Sequence, residues 1–235
     1  MGSVYFLSLG CDKNLTDSES MLGLLQNAGW SFTDDPGEAE VIIVNTCSFI
    51  GDAKKESINA ILELAKQKEE GCCRARIATG CLAERYKDEI CRELPELDAV
   101  LGTASYQHIV ELTEKALQRH EGSLACFEDV DTLPQIRERI LTGGGYSTYL
   151  KIAEGCDKRC TYCAIPMARG RYRSYPMELE YTRTASSSGI RTWATASFPS
   201  RATTSESSVR ADSARKKDSG TKVHLGVSRA MSTQS

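Results

Sequence analysis

Val41-Ile42-Ile43-Val44, running on into Asn45-Thr46-Cys47, opens with four β-branched residues and shows no polar alternation. A strand with one wet face alternates apolar and polar residues. One buried on both faces reads as a continuous apolar run, as in a parallel sheet covered by helices on each side. The flanks agree. Upstream, Val4-Tyr5-Phe6-Leu7-Ser8-Leu9 is a second apolar run. Thr16-Asp17-Ser18-Glu19 then has the form of a capping box, opening a helix that carries Met21, Leu22, Leu24 and Leu25 up to Gly29. Downstream, residues 52–70 place Ile58, Ile61, Leu62 and Ala65 on one helical stripe. Arg76-Ile77-Ala78-Thr79 and Asp98-Ala99-Val100-Leu101 follow as third and fourth strands, and Ser105 is placed to cap a helix running to His120. Strand and helix in strict alternation imply an α/β fold with an open parallel sheet and right-handed crossovers.

Cys11, Cys47 and Cys81 each stand just beyond one of the first three strands. The carboxyl ends of the strands in such a sheet share one rim, where ligands bind. Three thiols from three strand ends therefore converge on one place, a candidate three-ligand cluster site, with three ordinary buried cysteines as the competing reading. Small or polar neighbours, in Gly10-Cys11-Asp12, Thr46-Cys47-Ser48 and Gly80-Cys81-Leu82, would let the backbone approach a cluster and donate hydrogen bonds to its sulfurs.

A second group is tighter. Gly155-Cys156-Asp157-Lys158-Arg159-Cys160-Thr161-Tyr162-Cys163 spaces three cysteines as C-x3-C-x2-C, after a strand-like run from Tyr146 to Ile152. Three thiolates on one loop can hold a four-iron cluster and leave its fourth iron open for something other than protein. Closed zinc sites usually pair two CxxC units or add histidine, and no His lies near this loop. The remaining cysteines are assigned no ligand role: Cys72 and Cys73 are placed in an exposed turn, Cys91 and Cys126 as small core residues. His108, His120 and His224 are scattered and are assigned none either.

Composition bounds the rest. The chain has 235 residues, ten cysteines, a formal charge of −3 and 40% hydrophobic content. That gives no global basic footprint for nucleic acid. No run reaches the apolar length of a membrane span and the start has no export signal, so the expected location is cytoplasmic, with cysteines serving as metal ligands before disulfides. The average hides a split. Residues 1–180 carry 29 acidic and 20 basic side chains, while residues 181–235 carry 3 and 9, with 13 Ser and 8 Thr but only 6 Ile, Leu, Val and Phe together. So few large apolar residues cannot bury the strands of a barrel.

C-x3-C-x2-C with an aromatic residue before its last cysteine resembles the radical S-adenosylmethionine (SAM) enzymes, and the run from Gly155 to Pro176 resembles their methylthiotransferase branch. Ser8 to Glu19 (SLGCDKNLTDSE), Asn45 to Ile50 (NTCSFI) and Gly80 to Tyr86 (GCLAERY) extend the likeness to the ribosomal-protein aspartate methylthiotransferases (RimO-type). The related tRNA adenosine methylthiotransferases, the alternative, share the cysteine plan. Their first motif usually has Gln-Met-Asn where this chain has Asp12-Lys13-Asn14. The resemblance implies two 4Fe-4S clusters, one on Cys11, Cys47 and Cys81 and one on Cys156, Cys160 and Cys163, with SAM bound at the second and Tyr162 either against SAM or simply packing. It implies that SAM is cleaved to a deoxyadenosyl radical and a methylthio group is placed on the β-carbon of an aspartate in small-subunit ribosomal protein twelve. An external electron donor is then needed, and Arg169-Gly170-Arg171-Tyr172-Arg173-Ser174 is a basic patch that could meet ribosomal RNA, the substrate loop or only solvent.

The expected layout is a methylthiotransferase α/β domain over 1–135 and a linker over 136–145 containing Gly143-Gly144-Gly145. The start of a radical SAM partial TIM barrel follows over 146–180, with a helix beginning at Pro176, and then a disordered Ser/Thr-rich tail over 181–235. The composition break falls inside a fold element, which points to a lost reading frame near Glu180 rather than to a natural tail. With the barrel incomplete, a non-catalytic iron-sulfur module stands beside the enzyme as the second function class.

Overall fold

The structure, a computed structural model, describes residues 2–119, 122–134, 138–142 and 148–176. The triple glycine, the helix beyond Pro176 and the 181–235 tail lie outside the described residues.

Val41–Thr46 forms the central strand, β3, and every one of its residues is buried. It pairs in parallel with β1 (Ser3–Ser8) on one side and β4 (Ala75–Gly80) on the other. With β2 (Ser31–Phe32), β5 (Ala99–Leu101) and β6 (Leu124–Cys126), the sheet has six strands in the order β2-β1-β3-β4-β5-β6, and all its pairs are parallel. The period-two alternation of side chains feeds two cores. Val41, Ile43, Ile77 and Leu101 pack under α1 (Asp12–Asn27) and α6 (Ile109–Gln118), with Met21, Leu22, Leu25, Ile109 and Leu112. Ile42, Val44, Ala78 and Val100 face the other way, toward Ile61, Leu82 and Ile90 of α2 (Gly51–Ala65), α4 (Cys81–Arg85) and α5 (Lys87–Glu93). Helices on both faces are what a strand without polar alternation requires. Each large side chain so buried contributes about 1.5–3 kcal/mol.

Four sequence expectations change. Thr16-Asp17-Ser18-Glu19 is not a cap: α1 begins at Asp12, and all four residues lie buried inside it. Ser18 and Ser20 donate to the carbonyls of Asn14 and Thr16, the four-back bonding that lets hydroxyls sit within a helix. Ser105 does not cap the following helix either. Its Oγ accepts the Glu128 N–H at 2.7 Å, and a 3-10 turn, Tyr106–His108, leads into α6. The 52–70 helix breaks at Lys66, with Gln67–Glu70 a separate turn, α3; its core-facing stripe is buried Ile61 with half-buried Ile58 and Leu64, while Leu62 faces water. Cys73 is buried at the foot of β4, not exposed like Cys72.

Within the 136–145 stretch, residues 138–142 lie against α1. Glu19, inside that helix, pairs with Arg139 at 2.6 Å and accepts from the Thr142 N–H and hydroxyl, each at 2.8 Å. Residues 148–176 also pack on the sheet domain. Their only strands, β7 (Ala153–Glu154) and β8 (Arg173–Ser174), form an antiparallel pair, and α7 (Ile165–Arg169) lies between them. Of the strand expected over Tyr146 to Ile152, residues 148–152 are described and carry no strand, which begins instead at Ala153. Lys151 is buried while Leu150 and Ile152 are exposed.

Candidate metal centre

Three chain crossings build one rim. β1 ends at Ser8 and turns through Leu9 and Gly10, so that Cys11 immediately precedes α1. β3 runs straight into Cys47, and β4 into Cys81, the first residue of α4. Buried amides and hydroxyls fix these crossings to one another. Asn14 donates to the carbonyls of Leu9 at 2.9 Å and Thr46 at 2.8 Å, and Asn45 donates to the carbonyl of Asn14 at 2.9 Å. Ser57, from α2, both accepts the Cys47 N–H and donates to the Cys47 carbonyl. Ser48 donates to the Cys81 carbonyl at 3.1 Å.

Two glycines with φ of +94°, Gly10 and Gly80, make the close approach possible. A Cβ on Gly10 would stand 2.9 Å from Cys47 Sγ, and one on Gly80 would stand 2.5 Å from the Thr46 carbonyl. Gly80→Ala adds to that collision the strain of a backbone region essentially reserved for glycine, φ +94° and ψ −163°, about 1–3 kcal/mol. The expected result is an unfolding free energy, from urea titration, lowered by at least that amount, whereas an unchanged value would mean that the rim can shift.

The three thiols are within electrostatic reach of one another. Burial pushes the Cys47 thiol up, and Cys81 and Cys11 push it further, against the backbone N–H of Phe49 and the Arg169 charge. Burial also raises the Cys81 thiol, which Arg169 opposes through its charge and a hydrogen bond. Among the described residues no three His, Cys, Asp or Glu side chains stand together as a set for one metal ion. The donor set nonetheless suits a larger group. It offers three sulfurs on separate crossings, a backbone cleared by two glycines, and a cation at one of the sulfurs.

Cys156, Cys160 and Cys163 share one short loop. Cys163 donates its N–H to the Cys160 carbonyl at 3.0 Å, and Cys156 donates to the Gly170 carbonyl at 3.1 Å. Cys160 is exposed and the other two are half-buried. Tyr162 stands 91% exposed.

Beside Cys81 lies a cluster of buried charges that the sequence did not reveal. Lys151, Glu154, Arg169 and Asp17 are all buried, at 5% exposure or less. Lys151 meets Asp17 at 2.6 Å and also pairs with Glu154. Arg169 meets Asp17 at 2.5 Å and Glu154 at 3.2 Å, and donates to Asn14 Oδ1 and, from Nε at 3.3 Å, to Cys81 Sγ. Half-exposed Lys13 adds a contact to Glu154 at 3.3 Å. Two carboxylates and two cations leave the buried group of four neutral. The basic patch of the sequence is thereby corrected. Arg169 is interior, Arg173 is held by Asp131 at 2.9 Å, and Arg171 with Tyr172 remains largely exposed.

Comparison with known proteins adds a family context. Residues 3–102 match the family described as Uncharacterized protein family UPF0004. The chain is 53% identical to the ribosomal protein uS12 methylthiotransferase RimO of Lachnoclostridium phytofermentans, over 80% of this chain and 43% of that protein. It is 47% identical to the RimO protein of Symbiobacterium thermophilum over 80% of this chain and 39% of that one, and 53% identical to that of Acetivibrio thermocellus over 74% and 40%. The chain thus spans about two fifths of the length of these curated relatives.

Proposed function

We propose that this chain, which belongs to the RimO-type methylthiotransferase family, supplies the two cluster sites of an enzyme that adds a methylthio group to the β-carbon of an aspartate in ribosomal protein uS12. The observation that carries the proposal is a contact between the second triad's segment and the first triad. The segment holding Cys156, Cys160 and Cys163 reaches, through Arg169 six residues on, the sulfur of Cys81. Two cluster-binding loops so joined fit a reaction in which substrate activation and sulfur transfer must occur in one enclosed space.

When bound, a four-iron cluster at the second triad supplies an electron to SAM, and one at the first supplies the place from which sulfur is handed on. The chain's own residues do the holding. Asn14 and Asn45 lock the β1 and β3 crossings, Ser57 fixes the backbone of Cys47, and Arg169 neutralises the carboxylates beneath the rim. Exposed Tyr162 is assigned to the SAM side, and Arg171 with Tyr172 is the part of the basic run left to meet ribosomal RNA or the substrate loop. The reading further calls for an external electron donor and a cytoplasmic location. Among the described residues no helix is long and apolar enough to cross a membrane.

Anaerobic reconstitution with iron and sulfide tests this. The expected content is about eight irons per chain, falling to about four when Cys11, Cys47 and Cys81 are all changed to Ala, and again to about four when Cys156, Cys160 and Cys163 are. A colourless, iron-free product would sink the proposal. Deoxyadenosine formed on adding SAM and reductant separates a chain that turns over from one that only holds clusters. Mass analysis then decides the substrate: a methylthio group found on tRNA and not on uS12 would transfer the assignment to the other branch.

A further inference from the structure

Arg169 makes more contacts around the first triad than the neutralisation of carboxylates demands. It is 3% exposed, closes a five-residue helix that starts two positions after Cys163, and spends its guanidinium on four partners. Nη1 faces Asp17 and Glu154, Nη2 meets Asn14 Oδ1, and Nε points at Cys81 Sγ. Asn14 Oδ1 also accepts from the Cys81 thiol at 3.5 Å, while its amide nitrogen donates to the carbonyls of Leu9 and Thr46. Cys81 thus lies between an amide oxygen rooted in the β1 and β3 crossings, which accepts from its thiol, and a cation rooted in the second cysteine segment; once the sulfur gives up its proton to act as a ligand, the bond donated by Arg169 is the one that remains. A planar fork with fixed N–H directions can serve these partners at once. A lysine ammonium, a single point of charge on a flexible stem, cannot.

We propose that Arg169 is a positioning residue for the first triad. It fixes Cys81 Sγ in ligand orientation, places a positive charge beside whatever that sulfur binds, and fastens the second triad's segment to the first. The proposal rests on the cluster reading above. Hydrogen bonds and charges at cluster sulfurs set reduction potential, and a donated bond with a nearby cation favours the reduced, more negative state. Arg169 therefore raises the potential of a cluster at the first triad.

The test uses the full chain with Cys156, Cys160 and Cys163 changed to Ala, so that only the first triad can load. The parent, Arg169→Met and Arg169→Lys are reconstituted without oxygen, iron is counted, and the midpoint potential is followed by EPR during redox titration. The expected order is parent highest, Lys intermediate and Met lowest, with an altered EPR line shape in both variants. Loss of packing alone would change iron content without ordering the potentials by charge. If Arg169→Met fails to load, Arg169→Lys decides, and its potential must still fall below the parent's. A loaded parent with indistinguishable potentials in the variants overturns the role of Arg169 alone. A parent that takes up no iron overturns the cluster reading and this proposal with it.

Discussion

Asp17→Ala is expected to lower stability by about 3–5 kcal/mol, because it strands charge in the interior. Asp17 takes Lys151 at 2.6 Å on one oxygen and Arg169 at 2.5 Å on the other. Without it, Glu154 alone faces two buried cations, and the neutral group of four becomes net positive. Water cannot make up the difference, since Lys151 and Arg169 are 4% and 3% exposed. The loss should be felt locally first. Lys151 and Arg169 belong to the 148–176 segment and Asp17 to α1, so amide exchange should rise across residues 151–175 while β1, β3 and β4 stay protected. Asp17→Asn combined with Lys151→Met restores the charge balance and should cost less than Asp17→Asn alone, a coupling that a double-mutant cycle measures. Equal protection of the segment in Asp17→Ala and the parent would show that these ion pairs do not hold the two parts together.

The same contacts explain which parts of the molecule could be read from the chain. The sheet was legible because its evidence is local. Val41 to Val44 is apolar on both faces, and β1, β3 and β4 are each followed within three residues by a cysteine whose place on the rim follows from topology alone. The charge cluster left no such trace. Asp17 and Lys151 are 134 positions apart, Arg169 and Asn14 are 155, and no periodicity links them. Each member instead imitated something ordinary: Asp17 and Glu19 a capping box, Lys151 one polar position in an alternating run, Arg169 part of a solvated basic face. Lys151 and Glu154, three apart, were the one available local hint. Leu62 and Cys73 failed in the opposite direction. Leu62 follows Ile61 directly and so stands about 100° round the helix from the buried face, at the edge that meets water. Two adjacent cysteines entering a strand cannot share one environment, because successive side chains point to opposite faces.

Acid should release the 148–176 segment through Glu154. Burial alone would raise its carboxyl, but the charges of Lys151 and Arg169, the Lys151 hydrogen bond and more distant Lys13 together bring it down from 4.5 to about 2. A folded-state value below the unfolded one stabilises the fold wherever the carboxyl is ionised in both states. The contribution, about 3 kcal/mol, is thus complete above pH 4.5 and disappears as pH falls toward 2. The cations do not offset this on the acid side. Lys151 is raised from its ordinary value and Arg169 well above its own, so both stay charged throughout the window, and what Lys151 contributes is lost only in strong alkali. Urea midpoints recorded from pH 6 downward should therefore fall more steeply for the parent than for Glu154→Gln. The variant begins less stable, because its two buried cations have one carboxylate fewer, and the two curves should converge as the parent's Glu154 takes up its proton. Parallel curves over the whole range would mean that Glu154 is not held by Lys151 and Arg169 in the folded chain, and would leave the second cysteine segment attached through Asp17 and the other contacts of Arg169.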